Sequence, residues 1–172
     1  MRIDGVKVYV HWSVFAIAAI FLLGAIERPA VTFTGLTCYF LILLIHESGH
    51  MVVARKRGCE VECIEIYPIH GRTCFTTPWS RYDHCLIAWG GVVAQLIVAI
   101  PLMAWIILFG YTPFEPVNAM LAILGGYSLG VAAFNLLPVA SLDGSIAWGF
   151  FPELIKRVRK RRQKQRAAGW GR

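Results

Sequence analysis

The five residues His46-Glu47-Ser48-Gly49-His50 are the densest cluster of reactive side chains in the chain. On a helix, positions i and i+4 share a face, so both imidazoles can reach one zinc ion. Glu47, beside the first histidine, is then placed to take a proton from an attacking water. The plainer alternative is a polar cluster at a membrane interface, held by water without a metal. The cost of two histidines and a glutamate near lipid argues against it. A catalytic zinc takes three protein ligands, so a third must come from elsewhere. Asp143 is the candidate, in Asn135-Leu136-Leu137-Pro138-Val139-Ala140-Ser141-Leu142-Asp143-Gly144. Pro138 cannot continue a helix without losing a hydrogen bond. A helix should therefore break there and carry Asp143 on irregular backbone, buried in protein or facing a wet cavity. The competing reading is a cytoplasmic turn with Asp143 as the ordinary N-cap of the next helix.

The elements that must hold these residues are membrane spans. The 172 residues are 57% hydrophobic and only 16% charged, where soluble domains carry about a quarter charged residues. That balance excludes a large water-soluble catalytic domain, a disordered chain and a disulfide-stapled secreted module. Four apolar runs, at residues 8–26, 31–54, 85–109 and 117–139, are each long enough to span, given the usual tilt. The first is too long for a signal peptide and lacks its small-residue cleavage pattern. The expected fold class is an all-α polytopic membrane protein with about four transmembrane helices. The connection between the second and third runs is too polar to cross. Its β-branched stretch Glu60 to Ile66, the turn from Pro68 to Gly71 and the return from Arg72 to Thr77 predict a small cytoplasmic-face β-hairpin. Such a hairpin could offer an unpaired edge to an extended peptide.

Charge sets the orientation. Of the 17 Lys and Arg residues, all but Arg28 lie before the first run, between the second and third, or after the fourth. Cytoplasmic loops collect such residues, so both termini and the 55–84 connection should be cytoplasmic, in a cell's inner or plasma membrane. The basic stretch Lys156 to Arg166 follows Trp148, Phe150 and Phe151, a juxtamembrane pattern that suits anionic lipid headgroups. Nucleic acid is excluded as a partner, because no aromatic platform is interleaved with the charge. The expected organisation is one integral-membrane core over residues 1–155 and a basic cytoplasmic tail over 156–172. Cys59, Cys63 and Cys74 should be free thiols in a reducing cytoplasm, with Cys59-x-x-x-Cys63 a weak pattern for a second metal. His70 and His84 read as solvated rings, and His11 beside Trp12 as an interfacial anchor.

The two signatures together, His46-Glu47-x-x-His50 and Asn135-x-x-Pro138-x-x-x-x-Asp143-Gly144, resemble the site-2 protease family of intramembrane zinc metalloproteases. Gly90-Gly91-Val92-Val93-Ala94-Gln95 is similar to a third glycine-containing motif of that family, whose last position is commonly Asn rather than Gln. Val10-His11-Trp12-Ser13 resembles the start of many bacterial members. The likeness runs over residues 8 to 150. It implies a zinc ion held by His46, His50 and Asp143, Glu47 as general base, and Asn135 holding substrate or the developing oxyanion. Ser145 stands where a second Gly often follows the Asp-Gly pair. The resemblance also implies a near-minimal bacterial or archaeal-type core, without the later spans, PDZ domains or nucleotide-sensing modules of larger members.

The expected function is therefore zinc-dependent hydrolysis of peptide bonds in or near transmembrane segments of membrane proteins, single-pass ones foremost. Two other classes compete. A zinc carrier or sensor would need the ligands but not the base at Glu47. An inactive scaffold for membrane segments would not need the intact ligand set. Substrate, cleavage position and oligomeric state are not encoded in recognisable form.

Overall fold

Alternation decides how the chain begins. In Val6-Lys7-Val8-Tyr9-Val10 successive side chains point to opposite faces of an extended strand, and this segment is strand β2 (Val6–Val10) of a computed structural model that describes residues 2–23 and 25–169. β2 turns back on β1 (Arg2–Ile3) through Asp4 and Gly5, both at positive φ. It also runs parallel to β3 (Val61–Ile66), which pairs antiparallel with β4 (Gly71–Phe75). The order β1-β2-β3-β4 leaves β3 interior and β4 with a free edge. The expected hairpin is present, as half of a four-stranded sheet.

The remaining chain is helical: α1 (Trp12–Leu23), α2 (Pro29–Lys56), α3 (Arg81–Phe109), α4 (Glu115–Asn135), α5 (Gly144–Ala147) and α6 (Phe150–Gly169). Among the described residues three helices, α2, α3 and α4, are long and apolar enough to cross a membrane. This modifies the expectation of an all-α protein with about four long spans. The first apolar run gives its opening residues to β2, and the 12 residues of α1 rise only ~18 Å against a hydrocarbon core of ~30 Å. Helix α4 ends at Asn135, ahead of Pro138, as the missing proline donor requires. Its middle turn, Leu121–Tyr127, is π-helical. Helix α6 runs unbroken through the expected boundary at 155/156; residues 170–172 of the tail lie outside the described residues.

Two packing contacts position the site. The inner face of the sheet, Val6, Val8, Ile64 and Ile66, packs on Leu43 and Met51 of α2 in one buried cluster. A one-residue slip would turn all four to the outside, so this burial pins the strand register. Helix α2 then meets α3 where Gly49 faces Gly90: a Cβ on Gly49 would stand 2.3 Å from the Gly90 carbonyl oxygen. Small residues let helix backbones approach this closely. The crossing lies between His46 and His50, so it sets both rings against α3.

Candidate metal centre

The imidazoles are fixed from behind before they meet in front. His50 Nδ1 lies 2.7 Å from the carbonyl oxygen of Ile87, and His46 Nδ1 lies 2.9 Å from Oε1 of Gln95, both on α3. A carbonyl only accepts, so Nδ1 of His50 carries the proton and its Nε2 keeps a lone pair. The Gln95 oxygen does the same for His46. Gln95 is fully buried, and its Nε2 has no partner among the described residues. Bonds of this kind set the tautomer and orientation of metal-binding histidines.

In front, three acceptor atoms converge. Nε2 of His46 and Nε2 of His50 are 3.0 Å apart. Asp143 Oδ2 lies 2.9 Å from the first and 3.3 Å from the second. Lone pairs this close repel unless a cation sits among them. Tetrahedral zinc with bonds of about 2.0–2.1 Å would space its ligand atoms by about 3.3 Å, close to the triangle observed. Gly91 keeps the space open: a Cβ there would stand 2.6 Å from His50 Nε2 and 2.7 Å from His46 Nε2. The residues fit a metal ion.

Two acids compete for the third position. The carboxylate of Glu47 lies within 4.8 Å of both imidazole nitrogens, but its Oε2 accepts a 2.7 Å hydrogen bond from Thr73 Oγ1 on β4. Asp143 is closer, and its other contacts do not divert it. Although Asp143 precedes α5, its side chain makes no capping hydrogen bond, so the N-cap reading does not hold. Asp143 is the ligand candidate and Glu47 the candidate base beside it.

The bend that delivers Asp143 is locked from outside. A Cβ on Gly144 would stand 2.2 Å from the Leu136 carbonyl oxygen, so the residue after Asp143 must be glycine. That same carbonyl accepts from Trp148 Nε1 at 2.7 Å, and Trp89 Nε1 of α3 donates to Ala147 O at 3.0 Å. Gly71 serves β4 in the same way, since a Cβ there would press on the Glu47 carboxylate at 2.5 Å.

His46, Glu47, His50, Thr73, Gln95 and Asp143 line one cavity of about 800 Å³, together with Asn135, Tyr39 and Tyr127. Asn135 is on its wall, at the end of α4. His70 and His84 also line it, but His70 stacks on Tyr67 and His84 meets Phe75 edge-on. His11 lies apart, against Ser13 and the rings of Trp12 and Tyr67. Sequence reasoning missed Thr73, Gly71, Trp89 and Trp148; the only local signal among them was the glycine closing the hairpin turn.

The protein named "Putative zinc metalloprotease Rip3" of Mycobacterium tuberculosis is 33% identical over 161 residues, which is 83% of this chain and 40% of that protein. The protein sll0528 of Synechocystis, named in the same terms, is 31% identical over 119 residues, 63% of this chain and 30% of its own length. The fold matches the site-2 protease of Methanocaldococcus jannaschii with a TM-score of 0.67 at 22% identity, over 86% of this chain and 68% of that one. The chain belongs to the site-2 protease family. No protein-family profile matches it. This family member spans less than half the length of the curated relatives it resembles.

Proposed function

We propose that this chain is an intramembrane zinc metalloendopeptidase that hydrolyses peptide bonds in or near the transmembrane segments of membrane proteins, single-pass substrates above all. One observation carries the reading: Nε2 of His46, Nε2 of His50 and Asp143 Oδ2 converge within 3.3 Å, with the buried carboxylate of Glu47 beside them. Zinc bound by those three residues would polarise the scissile carbonyl and acidify an attacking water. Glu47 would accept a proton from the attacking water at the oxygen not held by Thr73 and pass it to the leaving amine. Asn135 presents its amide to the carbonyl oxygen as negative charge develops there. A carrier or sensor would need no base, and nothing about Glu47 suits such a role.

A helical substrate must unwind before its peptide bonds are exposed, and the free edge of β4 suits an extended segment added by main-chain hydrogen bonds. Four crossings, with the sheet and both termini on the cytoplasmic side of an inner or plasma membrane, agree with the distribution of Lys and Arg. Helix α6 carries exposed Phe151, Leu154, Ile155 and Val158 near its start, followed by the basic run, a pairing that suits anionic lipid headgroups. The basic tail over 156–172 works as an extension of the membrane core.

Purified protein in detergent, given synthetic transmembrane peptides, tests the roles. Glu47→Gln should retain the parent's zinc content and lose cleavage. Asp143→Ala should lose both zinc and cleavage. Loss of zinc in Glu47→Gln, or full activity in Asp143→Ala, would overturn the assignment.

A further inference from the structure

The outer face of the sheet brings together a second set of ligand-type side chains, remote in chemistry from the histidine centre. Cys63 and Glu65 are two apart on β3 and so share a face. Cys74 lies directly across from Cys63 in the β3–β4 ladder. The opposite face of the same strands carries the buried Ile64 and Ile66, and Thr73, whose hydroxyl bonds Glu47. We propose that Cys63, Glu65 and Cys74 form a second metal site, for a thiophilic divalent cation such as zinc.

The geometry supports it at three levels. The two sulfurs and a Glu65 carboxylate oxygen all lie within 4.8 Å of one another, and all three residues are half-buried. Tetrahedral zinc with Zn–S of about 2.3 Å and Zn–O of about 2.0–2.2 Å would space these atoms by about 3.5–3.8 Å. Side-chain rotations of about an ångström close the triangle. The ladder already fixes the Cβ positions, so closure orders three side chains and no backbone.

The surroundings favour a cation. Two thiols and a carboxylate, each able to carry negative charge, crowd one patch. A divalent ion replaces the two thiol protons, which leave to solvent, and water completes the fourth position. The Tyr67 hydroxyl donates to Glu65 Oε2 at 3.3 Å and orients the carboxylate, as an outer partner of a metal ligand commonly does. Two thiolates select zinc over magnesium or calcium. The ion would clamp β3 to β4 on the outside of the hairpin whose inner side holds Glu47. The sequence pairing Cys59-x-x-x-Cys63 is replaced by one across strands: all five cysteines are free thiols, and Cys59 is buried away from this patch among Ala54 and Ile87.

Cobalt separates this site from the catalytic one, because the histidine centre offers only nitrogen and oxygen donors. Full-length protein in detergent, kept reduced with a thiol-free reductant and titrated with Co²⁺, should take up two equivalents. It should also develop a thiolate-to-cobalt charge-transfer band in the near ultraviolet. His46→Ala/His50→Ala should keep the band and lose one equivalent. Cys63→Ser and Cys74→Ser should each abolish the band and lose the other equivalent. No band in the unaltered protein, or a band that survives both serine variants, would overturn the proposal, whatever the outcome for proteolysis.

Discussion

Thr73 and Gln95 act on the centre through other residues, one on the base and one on a ligand. The Thr73 hydroxyl reaches Glu47 Oε2 at 2.7 Å and also stands 3.0 Å from the Glu47 main-chain oxygen. A hydrogen bond to a charged group contributes about 1.5–3 kcal/mol. Thr73→Val, which keeps the shape and removes the donor, should therefore lower kcat by roughly 10- to 100-fold with little change in zinc content. Thr73→Ser should restore most of the rate; equal losses in both variants would reduce Thr73 to a packing role. Gln95→Leu should weaken zinc binding by roughly 10- to 100-fold, the usual cost of losing a partner behind a histidine ligand. Competition against a chelator of known affinity reads this directly, and unchanged affinity would free His46 from Gln95. The histidine-glutamate cluster was legible in the sequence because its chemistry is local: one helix face holds all three side chains. Thr73 and Gln95 were not legible in these roles, since they lie 26 and 49 residues from the groups they bond. Only the folded sheet and the α2–α3 crossing bring them there.

At the scale of elements, the hairpin and the broken fourth helix were legible, and β2 was not. Val6-Lys7-Val8-Tyr9-Val10 alternates, but Val8 and Val10 are continuous with an apolar run, and a strand with one buried face cannot be told from the start of a span until its partner is known. That partner, β3, lies more than fifty residues on. Its presence moves β3 to the interior and leaves β4 as the strand whose edge is open to a peptide. Tyr67 N donates to His70 O at 2.9 Å, and with the register Ile66↔Gly71 and Ile64↔Thr73 this puts the main-chain groups of Gly71, Thr73 and Phe75 on the open edge. Phe75→Pro removes one edge donor, and proline is tolerated on an edge strand. It should depress cleavage at least tenfold while zinc content holds, and Phe75→Ala should separate the side chain from the donor. Full activity in Phe75→Pro would remove the edge from substrate binding. The α2–α3 crossing is as demanding. Gly49→Ala forces a Cβ to within 2.3 Å of a carbonyl oxygen that no rotamer can move. A destabilisation of about 1–3 kcal/mol, or more, should appear as a lowered melting temperature together with weakened zinc binding.

For the whole molecule, the sheet decides a question that helix length leaves open. β2 is hydrogen-bonded to β3 in parallel register from Lys7↔Cys63 to Val10↔Ile66, so the start of the chain lies on the same side as the connection between α2 and α3. Helix α2 runs toward that connection for 28 residues, about 42 Å, and therefore begins at the far side. Between Val10 and Pro29 the chain has to pass from one side to the other. Helix α1 supplies about 18 Å of that path, and the rest falls to the turns closed by Ala25 N on Leu22 O and Arg28 N on Ala25 O. Arg28 marks the far side, where it pairs with Glu115 at the start of α4 at 3.1 Å. Both partners are exposed, so this ion pair contributes little to stability, but it ties two far-side ends together. A short first helix is thus compatible with four crossings. The charge distribution agrees with that reading, since Arg28 alone among the Lys and Arg residues falls outside the first ten residues, the 55–84 connection and the stretch after α4. Reporter fusions placed after Arg172 and within 76–80 should both read cytoplasmic, and insertions within 27–28 or 111–114 should read external. A cytoplasmic reading at 27–28 with the sheet intact would mean that α1 turns back within the membrane, whereas an external reading at the C-terminus would mean a further crossing after α4.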